Sequence, residues 1–293
     1  MVARIYLLLC VIIWGWTFVA TRICLQFLSP AELLAARFVM AAPLMWLLLR
    51  LSGQRLKIER KLVPAAVLAA ALFLVHFLVQ NIGLTMTSAT NTAWLIAISP
   101  LAMAVLAALI LREHPGRNTW VGIVVAFAGV VLLVSRGRVT DLDWLSSTGD
   151  WLALGSAFTW ALYTIATRDL SRAHPPMVVT AAMLVPCLLT LGTWVLFTSD
   201  LHVYMSLSGE AIVALLFLGF LGMGLGHWLW LTGVARLGAA KAGVFLYLEP
   251  LATTALAVPY LNEPFGVWSA VGALLVLAGV FYSSLNGKAA AKE

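Results

Sequence analysis

Charge is what this chain has least of. Asp, Glu, Lys and Arg make up 10% of its 293 residues, against about 25% in an ordinary soluble domain. A soluble fold of this length could not cover its surface with so few charges. Cysteine is scarce too: Cys10, Cys24 and Cys187 show no CxxC spacing and are odd in number, which argues against a disulfide framework or a zinc site. The five histidines show no HExxH or other close ligand spacing, so no metal site is expected. No Walker A sequence is present, so direct use of ATP is not expected, and the residues call for no cofactor. The formal charge of +6 is not gathered into a basic helix or a basic–aromatic module, so nucleic acid is not an expected partner.

What the chain does have is apolar sequence: 62% of its residues, with a mean hydropathy of +1.00. A membrane span takes about 20 such residues. Segments bounded by charge, Pro and Gly fall at 4–23, 30–50, 62–84, 87–110, 118–135, 149–167, 176–197, 210–233, 239–260 and 265–285. Backbone amides in lipid need internal partners, and no segment alternates with the period of a barrel strand, so these read as helices. The expectation is an all-α membrane protein of ten spans, multi-pass in the cell (inner) membrane with the bilayer as its solvent. The first segment carries Arg4 and a long apolar run without a small-residue cleavage site, so it reads as a retained span rather than a removed signal peptide.

Orientation follows from the basic residues. With the N-terminus inside, one face holds Arg4, Arg50, Arg55, Lys57, Arg60, Lys61, Arg112, Arg117, Arg168, Arg172, Arg236, Lys241, Lys288 and Lys292, which is 14 of the 18. Arg22, Arg37, Arg136 and Arg138 lie at or toward the other. That asymmetry predicts both termini in the cytoplasm. The longest outer loop, near 136–149, carries Asp141 and Asp143 and joins the two halves of the chain.

Those halves repeat. At a shift of 150 positions Pro100 meets Pro250, Leu101 meets Leu251, Glu113 meets Glu263, Gly116 meets Gly266, and Gly122 and Gly129 meet Gly272 and Gly279. Near the start the shift is 146: Trp14 meets Trp160, and Ala20-Thr21-Arg22 meets Ala166-Thr167-Arg168. Five spans per half is odd, so the second half must enter the membrane upside down. The repeats are placed at residues 1–140 and 141–293. Inverted halves of this kind underlie many secondary transporters, whose substrate site lies near midplane where the halves meet.

Several landmarks carry a family resemblance over nearly the whole chain: Trp14-Gly15, Arg37-Phe38, the run Gln80-Asn81-Ile82-Gly83-Leu84 leading into Thr87-Ser88-Ala89-Thr90-Asn91, Ser99-Pro100, Trp160-Ala161, Glu249-Pro250, and the loop glutamates Glu113 and Glu263. With them the chain resembles the drug/metabolite transporter superfamily, specifically its EamA-type ten-helix exporters. The resemblance implies a basket in which spans 1–4 and 6–9 surround a central cavity and spans 5 and 10 are peripheral. It also implies export of amino acids, related metabolites or drug-like compounds.

The candidate site residues are those too polar or too aromatic for their depth. Glu249 lies near the centre of its span, about 15 Å from either end at 1.5 Å per residue. An ionised carboxylate there is costly and usually faces a cavity or a partner, so Glu249 is the candidate coupling residue for protons; the alternative is a structural carboxyl beside Pro250. Arg37 could bind a substrate carboxylate or pair with Glu249, and the favoured reading is an arginine that snorkels to the interface or bridges helices. His76 and His227 could shuttle protons or simply bond across helices; the shift of 150 sets His227 opposite Phe77. Trp14 and Trp160 sit mid-span as repeat mates, and Trp94, Tyr163, Trp228 and Tyr247 also lie within spans, so a cavity lining of Trp14, Trp94, Trp160, Tyr163 and Tyr247 is expected. Such rings would suit an amphipathic substrate with an apolar or cationic part. Trp46, Trp120, Trp144, Trp151, Trp194 and Trp268 read as interfacial anchors. Gln80, Asn81 and Asn91 offer polar contacts around the hairpin between spans 3 and 4, to substrate or between spans. The glycine pairs Gly122/Gly129 and Gly272/Gly279 each form one helix face, available to pack within the monomer or to make a homodimer. Gly222 and Gly226 allow close helix approach, and Ser99-Pro100, Glu249-Pro250 and Pro259 are kink sites.

Together these readings predict a secondary transporter exporting a small amphipathic metabolite, such as an amino acid or derivative, by alternating access. The alternatives are a passive facilitator or channel and, less favoured, an intramembrane enzyme, since no nucleophile–base pair is visible.

Overall fold

The computed structural model describes residues 2–112, 115–135, 137, 140, 147–261 and 266–284. Glu113, Glu263, Arg136, Arg138, Asp141, Asp143, Trp144, Lys288 and Lys292, named above, lie outside them. Among the described residues the regular structure is entirely helical. The main helices are α1 (Val2–Cys24), α2 (Pro30–Leu51), α3 (Val63–Met86), α4 (Ala89–Ile110), α5 (Arg117–Val134), α6 (Thr148–Ala166), α7 (Pro176–Thr198), α8 (Gly209–Leu237), α9 (Ala239–Tyr260) and α10 (Val267–Ser284). The short helix Arg168–Ala173 joins α6 to α7.

Seven helices have the length and hydropathy to cross a bilayer: α1, α2, α3 with the turn before it, α4, α7, α8 and α9. Shorter apolar stretches run over Arg117–Leu132 and Ala270–Ser283. Helix α6 is not among the seven, and its burial pattern explains why: Asp150, Ser156 and Thr164 lower its hydropathy and are turned into the interior. Large apolar residues such as Leu109, Phe197, Val267 and Phe281 instead stand exposed. In water a surface of that kind would aggregate; in a bilayer it is the lipid-facing side. Trp46, Trp151, Trp194 and Trp268 are exposed there as well, and Arg50 lies 4.9 Å over the Trp46 ring.

Side chains written into the sequence begin several helices. Ser29 and Glu32 form a reciprocal capping box at α2, and Ser147 and Asp150 form another at α6. Ser88 accepts from Asn91 N, and Ser208 from Ala211 N. Each cap satisfies an amide that the first turn leaves open. Two of the three expected Pro sites, Pro100 and Pro250, fall where α4 and α9 break, whereas Pro259 lies within the continuous α-helical stretch Glu249–Leu261. The α-helical turns of α4 are interrupted at 97–98 before Ser99, and α9 passes through a 3-10 stretch, Val244–Leu248, before Glu249. Two irregularities were not expected, π-helical stretches over Leu188–Gly192 in α7 and Phe217–Leu225 in α8.

The glycine faces pack against each other inside the chain. A Cβ on Gly122 would lie 2.6 Å from Gly279 O, and one on Gly129 would lie 2.7 Å from Gly272 O, so α5 and α10 cross backbone to backbone. In α3, Gly83 is similarly close to Gly149 O and Ala153 N of α6. Neither glycine face is left free for a second copy. The largest apolar core joins α1 to α4 and α6 to α9, and a second core joins α4, α5, α9 and α10.

Candidate functional site

Trp14 of α1 and Trp160 of α6 meet at the centre of the bundle, edge to face, with ring centroids 5.1 Å apart. Trp14 donates its indole N–H to Gly222 O at 3.0 Å, a carbonyl within the π-helical stretch of α8. Around the pair stand His227, 4.9 Å from Trp14, and Trp230, 5.6 Å from each indole. Tyr163 lies 5.0 Å from Trp160, and Phe73 and Phe77 of α3 close the cluster on His227 at 4.7 and 5.5 Å. Edge-to-face and tilted arrangements at such distances are the favourable geometries for aromatic rings.

The histidines in this cluster have assignable tautomers. His76 Nδ1 donates to Ser156 O at 2.9 Å, and Gln80 Nε2 stands 3.5 Å from His76 Nε2, which leaves that nitrogen as the acceptor. His227 Nδ1 donates to Met223 O at 2.9 Å. Its Nε2 has no protein partner, and neither do Trp160 Nε1, Trp230 Nε1 and Tyr163 OH. Hydrogen-bonding groups that are buried without partners carry a desolvation cost, and here one acceptor and three groups able to donate are gathered within one aromatic cluster.

Beside the cluster is a cavity of about 30 Å³, lined by Trp14, Thr17, Phe18, Arg37, His76, Phe77, Gln80, Ile96, Trp160, Leu246 and Glu249. That is room enough for ordered water. Two of its walls carry opposite charge types, the Arg37 guanidinium and the Glu249 carboxyl. Arg37 is 2% exposed and lies 5.0 Å over the Phe77 ring, and its Nε has no protein partner. Of the two forms of the favoured reading, snorkelling is not what the structure has: the side chain is buried and spans from α2 to the Phe77 ring of α3, as the helix-bridging form expects. Among the described residues no ion pair joins Arg37 to Glu249. Glu249 is 8% exposed and heads the second half of α9. Its helix is held to α1 where Thr253 Oγ1 donates to Gly15 O at 2.8 Å.

Of the residues singled out from sequence, Trp14, His76, Gln80, Trp160 and Glu249 line the cavity, and His227 and Tyr163 stand in the adjoining cluster. Trp94 and Tyr247 pack into the second core between α4, α5, α9 and α10 instead. Asn81 is buried outside the lining, with neither amide atom bonded to protein. Asn91 is occupied in tying helices together, since its Nδ2 donates to Asp150 Oδ1 at 2.6 Å and to Thr87 Oγ1 at 3.1 Å. Arg22 closes the same end of the bundle by donating to Leu84 O and Thr87 O at 2.6 and 2.9 Å.

Sequence reasoning noted Trp228 as lying within its span and passed over Trp230, the other tryptophan of this part of α8. Trp230 joins the cluster, whereas Trp228 lies half-buried against Tyr6. The signal was present: Trp230 is three residues from His227 and so shares its face, while Trp228 is one residue away and does not. Phe73 is likewise one helical turn before Phe77. Thr17, Ile96 and Leu246 carry no mark in the sequence that sets them apart from packing residues.

An all-helical bundle with a lipid-compatible exterior and a polar, charged chamber at its centre defines a multi-pass membrane protein of the transporter class. The description "EamA-like transporter family" matches two stretches, residues 1–135 and 147–285. The chain belongs to the EamA-like transporter family. It is 29% identical over 276 residues to "Uncharacterized transporter YyaM" of Bacillus subtilis (strain 168), covering 92% of this chain and 89% of that one. It is 27% identical over 282 residues to a "Probable amino-acid metabolite efflux pump" of Salmonella typhimurium (strain LT2), covering 94% and 92%. The backbone also resembles that of a solved crystal structure, with a TM-score of 0.78 at 19% identity over 97% of this chain and 96% of that one, a likeness of fold.

Proposed function

We propose that this transporter is a ten-span carrier made of two inverted five-helix halves, residues 1–140 and 141–293. In this reading it exports a small amphipathic metabolite, such as an amino acid or derivative, from the cytoplasm by alternating access. The shorter or less apolar helices α5, α6 and α10 complete the count of spans, both termini lie in the cytoplasm, and the membrane is the cell (inner) membrane. Reciprocal contacts support the pseudo-twofold arrangement. Gly122 packs on Gly279, and Gly129 on Gly272, so each contact becomes the other under the shift of 150 positions. Gly83 packs on Ala153 and Gly233 on Leu7, which are again exchanged by the two shifts.

The observation that carries the functional reading is the cavity itself. Repeat mates Trp14 and Trp160 share its wall with one cationic and one acidic side chain. Aromatic faces would hold the apolar or cationic part of a substrate, Arg37 an anionic group, and His76 and Gln80 a neutral polar one. The name of the Salmonella relative points toward amino-acid metabolites. Glu249 is the residue assigned to proton coupling, because it is the carboxyl of the chamber and begins a half-helix that can move at the break in α9.

The test uses purified protein in proteoliposomes with substrates found by a metabolite-library thermal-shift screen. Glu249→Gln is expected to retain counterflow and to lose accumulation driven by a pH gradient. Unchanged gradient-driven accumulation would remove Glu249 as the coupling residue, and covalent change of the substrate would replace the carrier by an enzyme.

A further inference from the structure

A gathering of positive charge lies away from the chamber, where α6 and α8 end and α9 begins. A cavity of about 370 Å³ there is lined by Arg168, Arg172, Arg236 and Lys241, with Pro115, Gly238 and the neighbouring backbone. Two of the arginines come from the short helix Arg168–Ala173 and one from the last turn of α8. Lys241 is the third residue of α9. Gly238 adopts a φ of 83°, a left-handed conformation that glycine takes without strain. The chain reverses sharply there and brings Arg236 and Lys241 to one cavity. No carboxylate is among the described lining residues; Asp169 touches Arg168 at 3.6 Å from an exposed position.

The positive-inside tendency explains why this face of the molecule is basic, but not why Arg172, Arg236 and Lys241, from three segments, converge on one cavity. Arg55, Lys57 and Arg60 are just as basic, yet they stand exposed along the connection between α2 and α3 and are absent from this lining. The helix dipole accounts for Arg236 at the end of α8 and counts against Lys241 at the start of α9. Like charges brought together repel, and an anion seated among them removes that cost. Guanidinium groups match phosphate oxygens with paired N–H donors.

We propose that this cavity binds a phosphate-bearing anion, and that its source is the headgroup of an acidic membrane lipid. The volume lies in the range of small-molecule sites, about 300–1,000 Å³. The cavity opens among helix ends, the level at which a headgroup reaches a membrane protein, and basic pockets between spans are a recurring means of holding such lipids. The site is independent of the transported substrate and of the direction of transport.

Native mass spectrometry of the full chain in detergent, titrated with phosphatidylglycerol or phosphatidylcholine, tests this. The wild type is expected to retain one phosphatidylglycerol with at least tenfold preference over phosphatidylcholine. The triple variant R172Q/R236Q/K241Q is expected to lose that preference and R55Q/K57Q/R60Q to keep it. The three substituted residues are exposed, so both variants should melt with the wild type in the absence of lipid; Arg172→Gln alone should weaken retention about threefold. In a second arm, inorganic phosphate is titrated in a thermal-shift assay against sodium chloride at equal ionic strength. Saturable stabilisation by phosphate, lost in the first triple variant, without any lipid preference would keep the anion site and make its source soluble. Equal lipid preference in the wild type and the first triple variant, or neither lipid preference nor saturable phosphate binding in the wild type, would overturn the proposal.

Discussion

The indole planes of Trp14 and Trp160 stand at 88° to each other with centroids 5.1 Å apart, although 146 positions separate the two residues in the chain. Trp14 is anchored by its N–H on Gly222 O, while the N–H of Trp160 has no protein partner. The two mates are therefore not equivalent: one is fixed to α8, and the other keeps a donor available within the aromatic cluster.

That difference separates two substitutions. Trp14→Phe keeps an aromatic ring in the cluster and loses one hydrogen bond, about 1 kcal/mol of stability. Trp14→Ala leaves a void and should cost about 3–5 kcal/mol. Trp160→Phe, which breaks no protein hydrogen bond, should be about 1 kcal/mol less destabilising than Trp14→Phe while weakening substrate binding. Thermal melts in detergent and substrate titrations on the same samples would show it; equal loss of stability in the two Phe variants would refute the distinction.

Asp150 accepts from Thr87 Oγ1 at 2.7 Å, Asn91 Nδ2 at 2.6 Å and Ser147 N at 2.9 Å, and it is buried. Removing the acceptor from such a network strands its donors and costs about 1–3 kcal/mol for each buried group left unpaired. Asp150→Leu is expected to lower the melting temperature strongly, and Asn91→Ala less so. Neither should change substrate affinity per folded molecule, because both residues lie outside the cavity lining. A raised substrate dissociation constant in Asn91→Ala, with the melt unchanged, would instead return Asn91 to the binding site.

The crossing of α5 and α10 has no room for side chains at its glycines. Gly129→Leu must push the backbones apart, at about 1–3 kcal/mol or more, and Gly122→Val should do the same. Gly155, in α6, faces open space, so Gly155→Ala should be neutral or stabilising by about 0.5–1 kcal/mol. Comparing the melts of all three variants checks the packing: a stable Gly129→Leu would contradict the close approach.

Trp230 and Trp228 offer a paired control within one helix. Trp230→Phe is expected to reduce transport by tenfold or more, since its ring contacts both Trp14 and Trp160. Trp228→Phe should change transport less than twofold. Initial rates of uptake in proteoliposomes decide between them, and equal effects would place the functional wall elsewhere.

Much of this arrangement is legible in the amino-acid order because lipid leaves few options. Charge, Pro and Gly punctuate the apolar runs, so predicted segments such as 239–260 and 149–167 lie within a few residues of α9 and α6. The shifts of 150 and 146 positions pointed to Trp14 and Trp160 before their contact was seen. Depth along a helix can be counted, but facing cannot be read when every side of the helix is apolar. That is why Trp94 and Tyr247, deep in their spans, belong to the second core, and why the sequence leaves Arg37 between reaching the interface and bridging helices. Asn91 was ambiguous because its partner, Asp150, lies 59 positions away. The π-helical stretch Phe217-Leu218-Gly219-Phe220-Leu221-Gly222-Met223-Gly224-Leu225 has no periodic pattern that distinguishes it from an ordinary apolar helix.

That stretch sets α8 apart from α3, its repeat mate, which is a regular α-helix over Val63–Met86. In the proposed alternating-access reading, unlike scaffolds on the two sides are expected to give the inward and outward openings different energies. Unloaded, such a molecule dwells longer in one orientation, so uptake measured from opposite sides of a sealed membrane should saturate at different concentrations even without any driving gradient.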